Sequence, residues 1–154
     1  MVGHLQSNKA ARAVELFEGI QSVDSADLAE RLARLAVATG RAPFPIYVQV
    51  NVDADPAKAG FAPRELTSSI ARFAALDGLE VRGLMTVGRL AATPEEARPT
   101  FQALRGLGQQ LRAGDARIGA GLSMGMSDDF EIAVEEGATV VRLGRVLFGE
   151  RPRA

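Results

Sequence analysis

The chain has 154 residues, 47% of them hydrophobic and 24% charged, and its 18 basic and 19 acidic side chains give a net charge of −1. This is the composition of one ordinary globular domain, and the even charge balance indicates neither a nucleic-acid-binding nor a membrane-surface protein. The sequence has no cysteine, one histidine and no apolar run near the ~20 residues of a membrane span, which excludes disulfides and thiolate sites and favours a cytoplasmic protein.

Short apolar segments alternate with longer segments of helical period, a pattern typical of repeated βα units and a parallel sheet. Six strands are predicted, the first of them incomplete: Met1–Leu5, Ile20–Asp24, Phe44–Val52, Leu79–Val87, Gly121–Met124 and Thr139–Leu143. Four helices are predicted between them: Ser25–Thr39, Pro63–Leu76, Pro94–Arg112 and Asp128–Glu136. An open doubly wound sheet and a closed (β/α)8 barrel both fit this order. Because a whole barrel takes about 250 residues, this chain would form a partial one.

The strongest functional signal lies near the end of the chain. Ser123 and Gly125 stand at the carboxyl end of one predicted strand, and Gly144 and Arg145 at the carboxyl end of the next. Carboxyl ends of neighbouring parallel strands meet at one edge of the sheet, where glycine, a hydroxyl and backbone N–H groups hold phosphate in many barrels. The pattern therefore indicates an anion site, although strand ends and turns have the same composition.

Arg142 lies in an apolar strand, and the alternation of side chains directs it towards the interior. A buried guanidinium needs a partner, either a core carboxylate or a ligand atom, and the sequence does not choose between them. The adjacent Ser127-Asp128-Asp129 is interpreted as a helix N-cap with acidic residues favoured by the helix dipole.

Two further polar segments follow predicted strands. Asn51 ends one strand, where its amide could contact a ligand, and the residues after it are typical of a loop. His4-Leu-Gln-Ser-Asn-Lys9 leads from a strand end into a helix that Ser7 or Asn8 would cap. His4 is interpreted as a structural or exposed histidine.

Together these segments resemble the YggS/PROSC family of pyridoxal 5′-phosphate (PLP) homeostasis proteins, relatives of the N-terminal barrel domain of alanine racemase. The matching stretches follow the family's order over essentially the whole chain: residues 4–9, 50–53 with 58–60, 82–85, 122–129, 137–144 and 148–149. The most specific are the strings LSMGMSDD at 122–129 and VRLG at 141–144.

The resemblance implies a fold-type III PLP barrel, α/β in class, N-terminally truncated, with about six βα units in one partial domain spanning residues 1–154. It implies PLP as the cofactor, with Ser123 and the backbone of Gly144 and Arg145 at the phosphate and Arg142 at the pyridine nitrogen. Asn51 and Met85 would line the pocket.

The same resemblance bears on activity. A guanidinium stays protonated, so PLP beside Arg142 would be a poor electron sink. The expected function is therefore a non-enzymatic PLP carrier in intracellular vitamin B6 homeostasis, with PLP-dependent apoenzymes as recipients. Two alternatives stay open: a racemase-like fold-type III enzyme, which would need an acid/base residue from a second domain, and a relic that binds no PLP covalently.

Two departures from the family pattern matter. The family's PLP-binding lysine lies on its first strand, and this chain would begin in the third strand, about 60 residues later. We therefore expect no Schiff-base lysine. Lys9 and Lys58 match other family positions. The family usually has threonine where this chain has Arg145, whose charge could instead pair with phosphate.

A partial barrel would expose two sheet edges and apolar surface. We therefore expect poor solubility or self-association of the 154-residue chain. A monomer that melts cooperatively at micromolar concentration in sedimentation and thermal unfolding experiments would contradict this expectation.

Overall fold

The structure is a computed structural model that describes residues 1–89 and 92–149. Within these residues five strands are present: β1 Ile20–Val23, β2 Phe44–Gln49, β3 Leu79–Met85, β4 Gly121–Met126 and β5 Val140–Arg142. The helices are α1 Ala10–Leu16, α2 Ala26–Ala38, α3 Pro63–Ala74, α4 Arg98–Gly114, α5 Phe130–Glu135 and α6 Arg145–Phe148, with 3-10 turns at Ser7–Lys9 and Pro94–Ala97. The predicted alternation of strands and helices is confirmed, with ends shifted by a few residues.

The predicted strand at Met1–Leu5 is wrong, because this segment makes only one bridge to the sheet. The Met1 ammonium donates to the Gly19 carbonyl at 2.7 Å, and the Met1 carbonyl accepts from the Gln21 N–H at 2.9 Å. These two bonds are one repeat of a parallel ladder at the edge of β1. Beyond them the Ser22 hydroxyl donates to the Gly3 carbonyl at 2.5 Å, but no further backbone bond continues the ladder within the described residues. Burial of the Met1 ammonium lowers its pKa.

The strand order decides between the two folds that the sequence left open. All four pairings are parallel, and the order is β1-β2-β3-β4-β5, so every strand lies beside the next one in the chain. A doubly wound sheet needs a reversal of this order, whereas a barrel does not. The described strands therefore form a partial barrel of the (β/α)8 type.

A contact across the concave face shows how strongly the sheet curves. The Ser123 hydroxyl on β4 donates to Gln21 Oε1 on β1 at 2.8 Å, although β2 and β3 lie between them. In a flat sheet with strands ~4.8 Å apart, these positions would be roughly 14 Å apart. Curvature towards a barrel interior brings the two side chains together.

The helices α2, α3 and α4 cover the opposite, convex face with the apolar residues that their periodicity predicts. The fully buried side chains there include Leu32, Leu66, Phe73, Phe101 and Leu104. Around α4, a Cβ built on Gly108 would lie 3.5 Å from the Leu122 side chain, an ordinary contact distance, so α4 packs closely against β4 at this position. This packing fixes the direction of the strands and thus the position of their carboxyl ends.

The far edge of the sheet is apolar and exposed. Among the described strands, β5 pairs with β4 alone. The following helix α6 exposes Val146, Leu147 and Phe148, the last at 86% of its surface. The expected open apolar surface is thus present, and self-association stays a prediction.

Candidate functional site

Arg142 is the centre of a polar cluster inside the curved sheet. Its guanidinium donates to the Ser123 hydroxyl at 2.8 Å and to the Thr86 carbonyl at 2.7 Å. The predicted inward direction of Arg142 is confirmed. The cluster joins the carboxyl ends of β3, β4 and β5, which is where barrels and other parallel α/β proteins place their ligands.

The two described hydrogen-bond partners of Arg142 are neutral. They are a hydroxyl and a backbone carbonyl, not the core carboxylate that the sequence left open as one alternative. A ligand atom as a further partner stays a prediction. Burial lowers the pKa of Arg142, and the negative charge of Asp129 opposes that shift. A guanidinium carries five N–H donors, more than these two bonds use. The cluster therefore offers positive charge and free donor capacity to a ligand.

Ser127 joins two strand ends, a role that the sequence did not reveal. Because β4 extends to Met126, Ser127 is the first residue beyond the strand. Its hydroxyl accepts the N–H groups of Gly144 at 3.3 Å and Val146 at 3.4 Å. These bonds are long, so a better acceptor could take over both N–H groups.

The interpretation of this segment as a helix N-cap is confirmed for its position in the chain. The N-cap residue of α5 is Asp129, and its side chain makes no capping bond. Instead, the Asp129 carboxylate accepts the N–H of Met126 at 2.6 Å and closes the turn back onto β4. The hydroxyl of Ser127 is thereby left to face the β5–α6 connection.

Ser123 lies deeper in the sheet than Ser127. It is fully buried, and its hydroxyl is bound by both Gln21 and Arg142. Met85, also buried, pairs with Ser123 in the β3–β4 register. The predicted phosphate contact of Ser123 and the pocket position of Met85 stay predictions. The structure shows Ser123 as the residue that holds Arg142, with Gln21 as a partner that no sequence signal indicated.

Asn51 organises the loop after β2. Its side-chain amide donates to the carbonyls of Asp55 at 2.8 Å and Lys58 at 3.2 Å, and its oxygen accepts from the Asp55 N–H at 3.0 Å. These bonds use both ends of the amide. Its predicted contact with a ligand stays a prediction.

The lysines and the histidine lie at the edges of this region. Lys58 donates to the carbonyls of Val87, at 3.2 Å, and Gly88, which ties the Asn51 loop to the end of β3. Lys9 and His4 are exposed, and His4 Nδ1 lies 2.9 Å from Asp24 Oδ2. The expected Ser7 or Asn8 cap is wrong, since α1 begins at Ala10 without a side-chain capping bond.

An ion pair lies beside Ser127. The Arg145 guanidinium contacts the Asp128 carboxylate, and both side chains are more than half exposed. A cleft of about 420 Å³ opens next to Asp128, with Arg89 and Thr93 among its other lining residues.

No cluster of three or more metal-ligating side chains occurs in the part of the chain described. Within the same part, no helix is both long and apolar enough to cross a bilayer.

The chemistry of these groups fits a phosphorylated ligand. Five groups face the ends of β4 and β5: the guanidinium groups of Arg142 and Arg145, the hydroxyl of Ser127, and the backbone N–H groups of Gly144 and Val146. All of them can donate hydrogen bonds, and three of them belong to the consecutive residues Gly144, Arg145 and Val146. Donor sets of this kind bind phosphate oxygens.

Comparison with known proteins gives matches along nearly the whole chain. Residues 1–152 match the model of the alanine racemase N-terminal domain family. A pyridoxal phosphate homeostasis protein of Aquifex aeolicus is 37% identical over 150 residues, which cover 97% of this chain and 65% of that protein. The chain therefore spans slightly less than two thirds of that relative.

Solved structures agree with these matches. PipY of Synechococcus elongatus with PLP bound is 41% identical and superposes with a TM-score of 0.88, over 97% of this chain and 69% of PipY. An alanine racemase of Clostridium difficile, 16% identical, has a TM-score of 0.76 over 99% of this chain and 41% of the enzyme, and so shares the fold.

Proposed function

Because the chain belongs to the pyridoxal phosphate homeostasis protein family, built on the alanine racemase N-terminal domain, we propose that it binds PLP at the Arg142 cluster. The observation that carries the proposal is the half-buried Arg142, which has two neutral partners and lies beside the donors at Ser127 and Gly144. PipY, with PLP bound in its structure, supports the choice of ligand.

In this proposal each group has a separate task. Arg142, held by Ser123 and Thr86, faces the pyridine nitrogen. There a protonated guanidinium can donate a hydrogen bond but cannot accept a proton. Ser127 and the N–H groups of Gly144 and Val146 receive the phosphate. PLP supplies a reactive aldehyde and an electron-withdrawing ring. Met85 and Asn51 line the sides of the site.

We propose a carrier in PLP homeostasis in preference to an enzyme. A guanidinium cannot accept a proton from the ring nitrogen, so PLP beside Arg142 is a poorer electron sink than PLP paired with a carboxylate. Lys58, one of the two lysines, is bound to backbone carbonyls and lies 3.8 Å from Asp55. The proposal extends to one partial-barrel domain in the cytoplasm that passes PLP to PLP-dependent apoenzymes.

The phosphate should account for much of the affinity. We expect pyridoxal, which lacks the phosphate, to bind at least about tenfold more weakly than PLP, since two or more charge-assisted hydrogen bonds are lost. Equilibrium dialysis of both compounds against the 154-residue chain measures this ratio. Equal dissociation constants, or no PLP binding at all, would contradict the proposal.

Two serine variants then assign the phosphate contact. Ser127→Ala should weaken PLP binding and leave pyridoxal unchanged, because only the phosphate contact is lost. Ser123→Ala should weaken both compounds alike, because it releases Arg142. The reverse pattern would move the phosphate contact to Ser123.

A further inference from the structure

The Arg145–Asp128 ion pair stands directly beside the proposed phosphate donors. Asp128 follows Ser127 in the chain, and Arg145 follows Gly144. The Ser127 hydroxyl accepts the Gly144 N–H at 3.3 Å, while the neighbouring Asp128 carboxylate contacts the Arg145 guanidinium. The segments that follow β4 and β5 thus present donors for an anion, and they also present the Asp128 carboxylate, which competes with that anion for the Arg145 guanidinium.

The pair is exposed and therefore able to exchange partners. The side chain of Arg145 is 51% exposed and that of Asp128 66%. Ion pairs at such exposure contribute little to stability, because water screens both charges. A phosphate dianion offers Arg145 more charge than one carboxylate does, and both anions can accept two parallel hydrogen bonds from a guanidinium. Asp129 does not take part in this exchange, because its carboxylate is bound to the Met126 N–H.

We propose that Asp128 is a specificity-determining residue that reduces the affinity of this site for anions by holding Arg145 away from the phosphate. A ligand must bring a doubly charged phosphate to displace the carboxylate, so the site favours phosphate monoesters over singly charged anions. The bound ligand also leaves more readily, since Asp128 recaptures Arg145. This inference rests on the proposed function of the site.

The test combines charge removal with a double-mutant cycle. Asp128→Asn removes the competing charge at constant shape, and PLP should bind about fivefold more tightly. This is the factor expected when Arg145 no longer has to leave an opposite charge about 4 Å away in water. Pyridoxal binding should not change. In an Arg145→Gln background the gain should disappear, because Asp128 acts through Arg145. Glu131→Gln, the same change of charge on the neighbouring helix α5, is the matched control.

The outcomes separate this inference from the proposed function. If the unmodified chain fails to bind PLP, the proposed function is wrong, and this inference with it. If it binds PLP but Asp128→Asn has an unchanged or weaker dissociation constant, only the inference is wrong. A gain that persists in the Arg145→Gln background would also overturn it, because simple repulsion between Asp128 and phosphate would then suffice.

Discussion

Replacing Arg142 with leucine is expected to weaken PLP binding by about 10- to 150-fold, the loss of about 1.5–3 kcal/mol typical of a charge-assisted hydrogen bond. The guanidinium is half-buried, and its two described partners leave donors for the ligand. Because Arg142 is proposed to face the ring, the affinity for pyridoxal should fall by a similar factor. Equilibrium dialysis with both compounds measures the two dissociation constants.

Three controls keep the Arg142 result interpretable. Arg34→Leu makes the same change on the exposed face of α2 and should leave binding unchanged. Arg142→Lys retains the charge but loses the planar fork that reaches Ser123 and Thr86 together, and should give an intermediate affinity. Urea unfolding of each variant checks that it is folded at the temperature of the binding assay. Binding of Arg142→Leu within about twofold of the unmodified chain would place the ligand elsewhere.

Local patterns in the sequence were sufficient to predict most of the strands and helices. The strand β2 appears in the sequence as an apolar run, and β3 begins as an alternation of buried Leu79 and Val81 with exposed Glu80 and Arg82. The period of α2 and α3 marks their buried sides. Topology was not predictable in this way, since both parallel folds use the same local elements. What distinguishes them is the order of the strands in the sheet, together with the curvature that brings Gln21 to Ser123, 102 positions away in the chain.

The misassigned parts of the site have a physical cause as well. Arg142 was placed correctly because alternation along a strand is a local property. Ser127 was missed because the predicted strand ended at Met124, whereas β4 continues to Met126 and makes Ser127 the residue at the strand end. A serine followed by two aspartates is also typical of a helix N-cap, and only the neighbouring strand reveals the other role.

The largest effect on stability is expected at Gly83, where the β3 and β4 backbones meet. Gly83 has φ +154°, and a Cβ there would lie 1.9 Å from the Gly121 carbonyl oxygen on β4. The register of β2 with β3 also shifts at this point, between Ile46 and Tyr47. Neither backbone can move without breaking the pairing that places Thr86 next to Ser123.

Gly83→Ala should therefore lower the free energy of unfolding by about 4 kcal/mol or more, and the melting temperature by about 8–16 °C. Gly106→Ala is the matched control: Gly106 lies on the exposed side of α4, where a Cβ would meet no atom within 4 Å, so alanine should raise the free energy of unfolding by about 0.5–1 kcal/mol. Urea titrations of the three proteins measure both changes. A Gly83→Ala variant within about 0.5 kcal/mol of the unmodified chain, a margin set by ordinary surface substitutions, would show that the β3–β4 pairing can open there, and the Arg142 cluster that depends on it would lose its rigid support.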